Sequence, residues 1–193
     1  MQDAILADPN RAAVVDLIDI RYWHYREDGS LYAPAGGQNL APRQHARLVK
    51  PGKSSFEQVY RAVRSYREAH PGKAVVYSGD SYDQQAWAVF MAGGSLAAIP
   101  AADPGLLASA AGMLPRDSGQ AGQYLLGNDR QEYIVYQQAA GPLPAALTKG
   151  AKYKVRWFDP KTGKLLQESS ARAGAGAQNK VPAGPAVVWI SRQ

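Results

Sequence analysis

Two short clusters in this sequence carry the groups that could do chemistry. The first is Asp19, Arg21, Tyr22, Trp23 and His24, closing the run "VVDLIDIRYWHY"; the second is Gly79, Asp80, Ser81, Tyr82 and Asp83, just after "KAVVYS". Carboxylates and a guanidinium offer charged hydrogen bonds to hydroxyl groups, and the aromatic rings beside them offer flat apolar surfaces. That combination suits a sugar, whose ring has apolar faces and a rim of hydroxyls. The competing reading of either cluster alone is structural, with Tyr22 and Trp23 as core aromatics and Asp19 and Arg21 as a buried ion pair.

The elements that must position these residues follow from the period of the apolar pattern. Residues Ala13–Tyr22 read as a nearly continuous apolar strand, of the kind buried on both faces in a parallel sheet. Ser54 to Glu57 has capping-box spacing, and Phe56, Val59, Tyr60, Val63 and Tyr66 recur at helical spacing until Pro71-Gly72. A second strand over "KAVVYS", a helix over "YDQQAWAVFMAGG", a third strand over "SLAAIP" and a helix over "GLLASAAGML" complete a β-α-β-α-β-α order. That order predicts a parallel sheet with helical crossovers. Ligands of such folds bind at the carboxyl ends of the strands, so both clusters should open on one rim.

After Pro115 the pattern changes to short alternating strands with turn punctuation: "GQYLLG", "EYIVYQQ", "PAALT", "KYKVRWFDP", "KLLQESS" and "AVVWISR". Tyr153, Val155 and Trp157 alternate with Lys152, Lys154 and Arg156, which gives one core face and one solvent face. Tyr133, Val135, Val155, Trp157, Val188 and Ile190 are the expected core. The expected division is residues 1–115 as an α/β domain and 116–193 as a small all-β domain, an antiparallel β-sandwich or open barrel.

Composition bounds the function classes. With 193 residues, 46% of them hydrophobic, the chain can build a real core, and with no cysteine it can form neither disulfides nor thiolate metal sites. No apolar run is long enough to cross a membrane, and the N-terminus has no basic segment followed by an apolar one. Residues 1–115 hold 11 Lys+Arg and 11 Asp+Glu, whereas 116–193 hold 11 and 5, so the net charge of +6 belongs to the second part. An anionic partner is one reading of that asymmetry; a lysine-rich β surface that resists edge pairing is the other.

The string "ILADPNRAAVVDLIDIRYWHY", with "NLAPRQHARL", "SSFEQVYRAVRSYR" and "KAVVYSGDSYDQQAWAVFMAGGSLAAIP", resembles the C-terminal part of the (β/α)8 (TIM) barrel of bacterial glycoside-hydrolase-like proteins. The stretch "EYIVYQQAAGPLPAALTKGAKYKVRWFDPKTGKLL" is similar to the small β domain of collagen-binding type that follows such barrels. The resemblance implies a partial barrel made of its last βα units, then a β-sandwich, in a protein that acts on or binds carbohydrate. It places Ser78-Gly79-Asp80 where those barrels carry Ser or Asn, Gly and a nucleophilic Glu. Asp80 is one methylene shorter than Glu, so the implied role is either catalytic nucleophile or an orienting, substrate-binding acid. Asp19, Arg21, Tyr22, Trp23, His24, Tyr82 and Asp83 are implied to line the substrate site.

Glycosidic hydrolysis by the common route needs two carboxylates, about 5 Å apart for retention or roughly 6.5–9.5 Å for inversion. The acid/base of such barrels follows an earlier strand, and only about three of eight βα units are legible here. The expectation is therefore a C-terminal piece of a longer hydrolase, inactive alone, whose uncovered barrel edge promotes association. The parent is expected to be secreted or periplasmic. The alternative is a non-catalytic accessory module that docks a polysaccharide, an acidic one in particular, or another protein.

Other sites have weaker support. His24, His45 and His70 are too scattered for a metal site, G-x-S-x-G is absent, and the glycine pairs lack phosphate-loop spacing, so neither metal nor cofactor is expected. The basic run Arg43, Arg47, Lys50, Lys53, Arg61, Arg64 and Arg67 reads as a solvated helix face rather than a nucleic-acid surface, because residues 1–115 are neutral overall. The long connection from Trp23 to Lys53 reads as a loop over the cleft, contributing Tyr32, Gln38, Asn39, Gln44 and His45.

Overall fold

The computed structural model describes residues 2–21, 54–79, 83–100, 102–143, 147–148, 150–172 and 184–193. It is a mixed helix-and-sheet protein with two compact units, Met1–Val89 with Gly94–Ala97, and Phe90–Gly93 with Ala98–Gln193.

In the first unit, helices α1 (Gln2–Leu6) and α2 (Pro9–Ala13) precede strand β1 (Leu17–Ile20). The strand expected from Ala13 is thus shorter, because Asp8-Pro9 starts a helix. The Asp8 carboxylate accepts from the backbone N–H of Asn10 at 2.9 Å and of Arg11 at 3.3 Å, with Pro9 in the first turn. Lys73 Nζ then donates to the carbonyls of Ala12 and Val15, at 2.6 Å each, and ties down the segment between α2 and β1.

Helix α3 (Phe56–Ala69) carries a capping box one residue later than its Ser54–Glu57 spacing suggested. Ser55 Oγ accepts from the Gln58 N–H at 3.2 Å, and Gln58 Oε1 accepts from the Ser55 N–H at 2.8 Å. Val59, Tyr60 and Val63 form its buried stripe, and the helix packs on β1 and on β2 (Ala74–Tyr77). The two strands are parallel, with Leu17 opposite Ala74 and Ile20 opposite Tyr77. Ile18, Ile20, Val75 and Tyr77 are buried, while Leu17 and Asp19 on the other face keep substantial exposure. One face of β1 is core, not both as its apolar run suggested.

Helix α4 (Ala86–Met91) follows. The third parallel strand expected over "SLAAIP" does not form: the Ser95 N–H donates to the Val75 carbonyl at 2.6 Å, but Leu96 has φ +55°, which turns the chain out of an extended path.

The second unit holds α5 (Pro104–Ala110) and six strands: β3 (Leu114–Arg116), β4 (Gln123–Gly127), β5 (Tyr133–Gln137), β6 (Lys152–Phe158), β7 (Leu165–Arg172) and β8 (Ala186–Arg192). Their order is β3-β4-β5-β8-β6-β7, antiparallel throughout. Of the two expected forms, sandwich or open barrel, the two-sheet sandwich is not formed among the described residues: the strands make one antiparallel sheet, because β8 pairs along one edge with β5 and along the other with β6. That joins the β4–β5 and β6–β7 hairpins side by side. Tyr133, Val135, Val155, Trp157, Val188 and Ile190 share one buried cluster with Leu125 and Tyr153, as their alternation predicts. In the β6–β7 turn, the Asp159 carboxylate accepts from the N–H of Lys161 at 2.7 Å and of Thr162 at 3.2 Å, fixing the hairpin register.

Candidate functional site

The carboxyl ends of β1 and β2 lie side by side, and the Ser78 N–H continues the ladder by donating to the Ile20 carbonyl at 3.0 Å. Asp19 is paired with Val76 in the register, so the two-residue period places Arg21 and Ser78 just beyond them on the same face. The side chains meet there. Arg21 Nε donates to Asp19 Oδ2 at 2.8 Å, and Ser78 Oγ donates to Asp19 Oδ1 in a short hydrogen bond. Asp19 is 28% exposed and Arg21 72%, so the ion pair forms at the surface instead of in the core. With Nε engaged on Asp19, the terminal amino groups of an exposed guanidinium are placed to donate to the oxygens of a ligand.

Below this face the end of β2 is tied to Ser54 by hydrogen bonds. The Tyr77 hydroxyl donates to Ser54 Oγ at 3.3 Å, and Gln85 Nε2 donates to the Ser54 carbonyl at 3.0 Å. Gly79 is required by close approach: a Cβ there would lie 2.6 Å from the Tyr77 hydroxyl and 2.7 Å from its ring. The chain can leave β2 over the Tyr77 ring only without a side chain at 79.

Of the predicted site residues, Asp19 and Arg21 are thus brought together. Asp83 is exposed, in the turn before α4, and makes no hydrogen bond or ion pair with Asp19, Arg21 or Ser78. Tyr22, Trp23, His24, Asp80 and Tyr82 lie outside the described residues, as does the loop with Tyr32, Gln38, Asn39, Gln44 and His45. Ser78 is the partner that sequence reasoning passed over. The parallel register of β1 and β2 is the signal that identifies it, since Ser78 stands two residues beyond the partner of Asp19.

The arginines of α3 are engaged locally. Arg61 pairs with Glu57, and Arg64 with Glu68 at 2.6 Å and with the Tyr60 hydroxyl at 3.1 Å. Arg67 donates to the carbonyls of Pro71 at 2.8 Å and Lys73 at 3.1 Å. The hydrogen bond to Glu68 holds the Arg64 guanidinium above its ordinary pKa, and burial raises the Tyr60 phenol against the opposing charge of Arg64.

The family model described as Domain of unknown function (DUF6298) matches residues 1–113, more than half of the 193. The chain belongs to the DUF6298 family. No curated protein and no solved structure matches it. The DUF6298 match takes in β1, α3, β2 and the Asp19–Arg21–Ser78 cluster, and it ends one residue before β3. The site is therefore a feature of the DUF6298 region, and no described helix of the chain is long and apolar enough to cross a membrane.

Proposed function

We propose that this DUF6298 protein is glycoside-hydrolase-like and acts on or binds carbohydrate, with β1, α3 and β2 belonging to the last βα units of a (β/α)8 barrel. The observation that carries the proposal is the union of Asp19, Arg21 and Ser78 at the carboxyl ends of two parallel strands, on the face opposite α3. In a barrel of this kind the ligand-binding groups stand at the carboxyl ends of the strands, and Asp19, Arg21 and Ser78 lie at those ends of β1 and β2. Asp19 accepts hydrogen bonds from Arg21 and Ser78, a state suited to orienting a sugar hydroxyl rather than to attack on an anomeric carbon. Asp80 and Tyr82, next in sequence after β2, and Tyr22, Trp23 and His24, after β1, would complete the polar and stacking surface.

Glycosidic hydrolysis by the common route needs a second carboxylate across the scissile bond. None of the described residues supplies one beside Asp19, since Asp83 is not joined to the cluster. Glycan binding is thus the activity proposed for this cluster, with turnover measured beside it. Affinity electrophoresis against a panel of neutral polysaccharides, with aryl glycosides as substrates, tests this. Asp19→Asn and Arg21→Ala should each weaken the retarding glycan's hold by roughly tenfold, about the worth of one charge-assisted hydrogen bond. Absence of retardation by every neutral glycan removes the carbohydrate reading. A hydrolytic rate well above background that is lost in Asp80→Asn would instead establish a complete catalytic site.

A further inference from the structure

The outward face of β6 and β7 presents an imbalance of charge. Lys152, Lys154 and Arg156 succeed one another at every second position of β6, and the partners across β7 are Arg172, Ser170 and Glu168. Lys152 stands directly opposite Arg172, a like-charged cross-strand pair that disfavours the sheet unless a counter-charge is supplied. Both are exposed. Glu168 is the one carboxylate among these six residues, and its Oε1 lies 3.0 Å from Lys154 Nζ rather than on Arg156, its own partner in the register.

Arg156 is accordingly left with no carboxylate among the described residues. Its guanidinium stacks 3.3 Å from the centre of the Trp189 ring, and its hydrogen bond to a described residue is a long one, 3.4 Å from Nη2 to Ser191 Oγ. Stacking on an aromatic face fixes the plane of the guanidinium and leaves its charge unneutralised. Exposed Lys152 and Arg172 and half-buried Arg156, none with a carboxylate partner among the described residues, thus border a strip about 13 Å long on one sheet face.

We propose that this strip binds the carboxylates of an acidic polysaccharide, a polyuronate chain laid along β6. The hydroxyls of Ser170 and Ser191 flank the cations and match the hydroxyl-rich backbone of such a chain. A single-stranded nucleic acid would call for exposed rings on which bases stack, and Trp189, the aromatic residue at the strip, is 6% exposed beneath Arg156. The surface lies in the all-β unit and is independent of Asp19, so it stands or falls apart from the site on β1 and β2.

The test is affinity electrophoresis of the full chain carrying Asp19→Ala, in gels holding polygalacturonate, dextran or a mixed-sequence DNA. Polygalacturonate should retard the protein and dextran should not, with retardation falling as salt rises. The double variant Lys152→Ser/Arg172→Ser should lose roughly tenfold in affinity, whereas Lys161→Ser/Lys164→Ser, which removes the same charge from the exposed β6–β7 turn, should change it by less than about twofold. Equal losses in the two doubles, or no retardation by polygalacturonate, overturn the proposal. DNA binding stronger than polygalacturonate binding and lost in the Lys152/Arg172 variant would also overturn it, assigning the face to nucleic acid.

Discussion

Adjacent serines before α3 have different tasks, and each has an acceptor-bearing side chain three positions on. Ser54 precedes Glu57, and Ser55 precedes Gln58, so two capping boxes compete in the sequence. The tertiary structure decides between them, because Ser54 is buried and engaged by the Tyr77 hydroxyl, leaving Ser55 to cap. Ser55→Ala should therefore cost about 1 kcal/mol of stability in urea denaturation, the ordinary worth of an N-cap; no change in the midpoint would place the cap elsewhere. Tyr60 and Tyr136 give a second expectation at this scale. Burial raises both phenols above 10.0, opposed at Tyr60 by Arg64. A folded-state pKa above the unfolded one means that the neutral phenol stabilises the fold fully below about pH 10, and that this contribution is lost as pH rises through the folded-state value. Ultraviolet titration should show some of the 11 tyrosines ionising late and together with unfolding. Ionisation of all of them near pH 10 with the fold intact would contradict it.

Among the elements, strands β4 to β8 were legible because alternation such as that of Tyr153, Val155 and Trp157 with Lys152, Lys154 and Arg156 records which side of a strand is buried. Strand β3 was not, since it starts at Leu114, inside the run "GLLASAAGML" expected to be helical, whose helix ends at Ala110. What alternation cannot record is which strands pair. The position of β8 between β5 and β6 is a non-local outcome, and it decides for one sheet where the pattern left sandwich and open barrel both open. The helical stripe of α3 was legible for the same local reason. The failed third strand was not, since a single left-handed residue, Leu96, interrupts an otherwise strand-like composition. The Asp19–Ser78 contact is similarly hidden, because it spans 59 positions and depends on strand register. Trp157 shows what the central position in the sheet implies. It is fully buried on β6, between β7 and β8, and Trp157→Ala should destabilise the protein by about 3–5 kcal/mol, the usual cost of such a cavity. A loss below about 1 kcal/mol would mean that the core collapses around the site.

At the scale of the whole molecule the question is where the all-β unit begins. The change of sequence pattern after Pro115 suggests that residues 116–193 should fold alone, as a chain of that size with many aromatics can. Yet the compact unit takes in the chain from Ala98 on, with Phe90–Gly93, and two elements that begin before residue 116 contribute to it. Strand β3 pairs Leu114 with Gly127 and Arg116 with Leu125, covering the edge of β4 that would otherwise be open to association. Helix α5 lies on the sheet so closely that a Cβ on Gly105 would come within 2.9 Å of the Trp189 ring, and its Leu106 is 1% exposed. Burial of one leucine is worth about 1.5–3 kcal/mol, and withdrawal of the helix also uncovers part of Trp189. A polypeptide of residues 98–193 should therefore unfold cooperatively and be more stable than 116–193 by at least about 2 kcal/mol. The shorter one should also bind a hydrophobic dye and associate in light scattering, through the bared edge of β4 and the uncovered face around Trp189. Equal urea midpoints and two clean monomers would show that α5 and β3 only decorate the sheet, and would move the start of the independent unit back to residue 116.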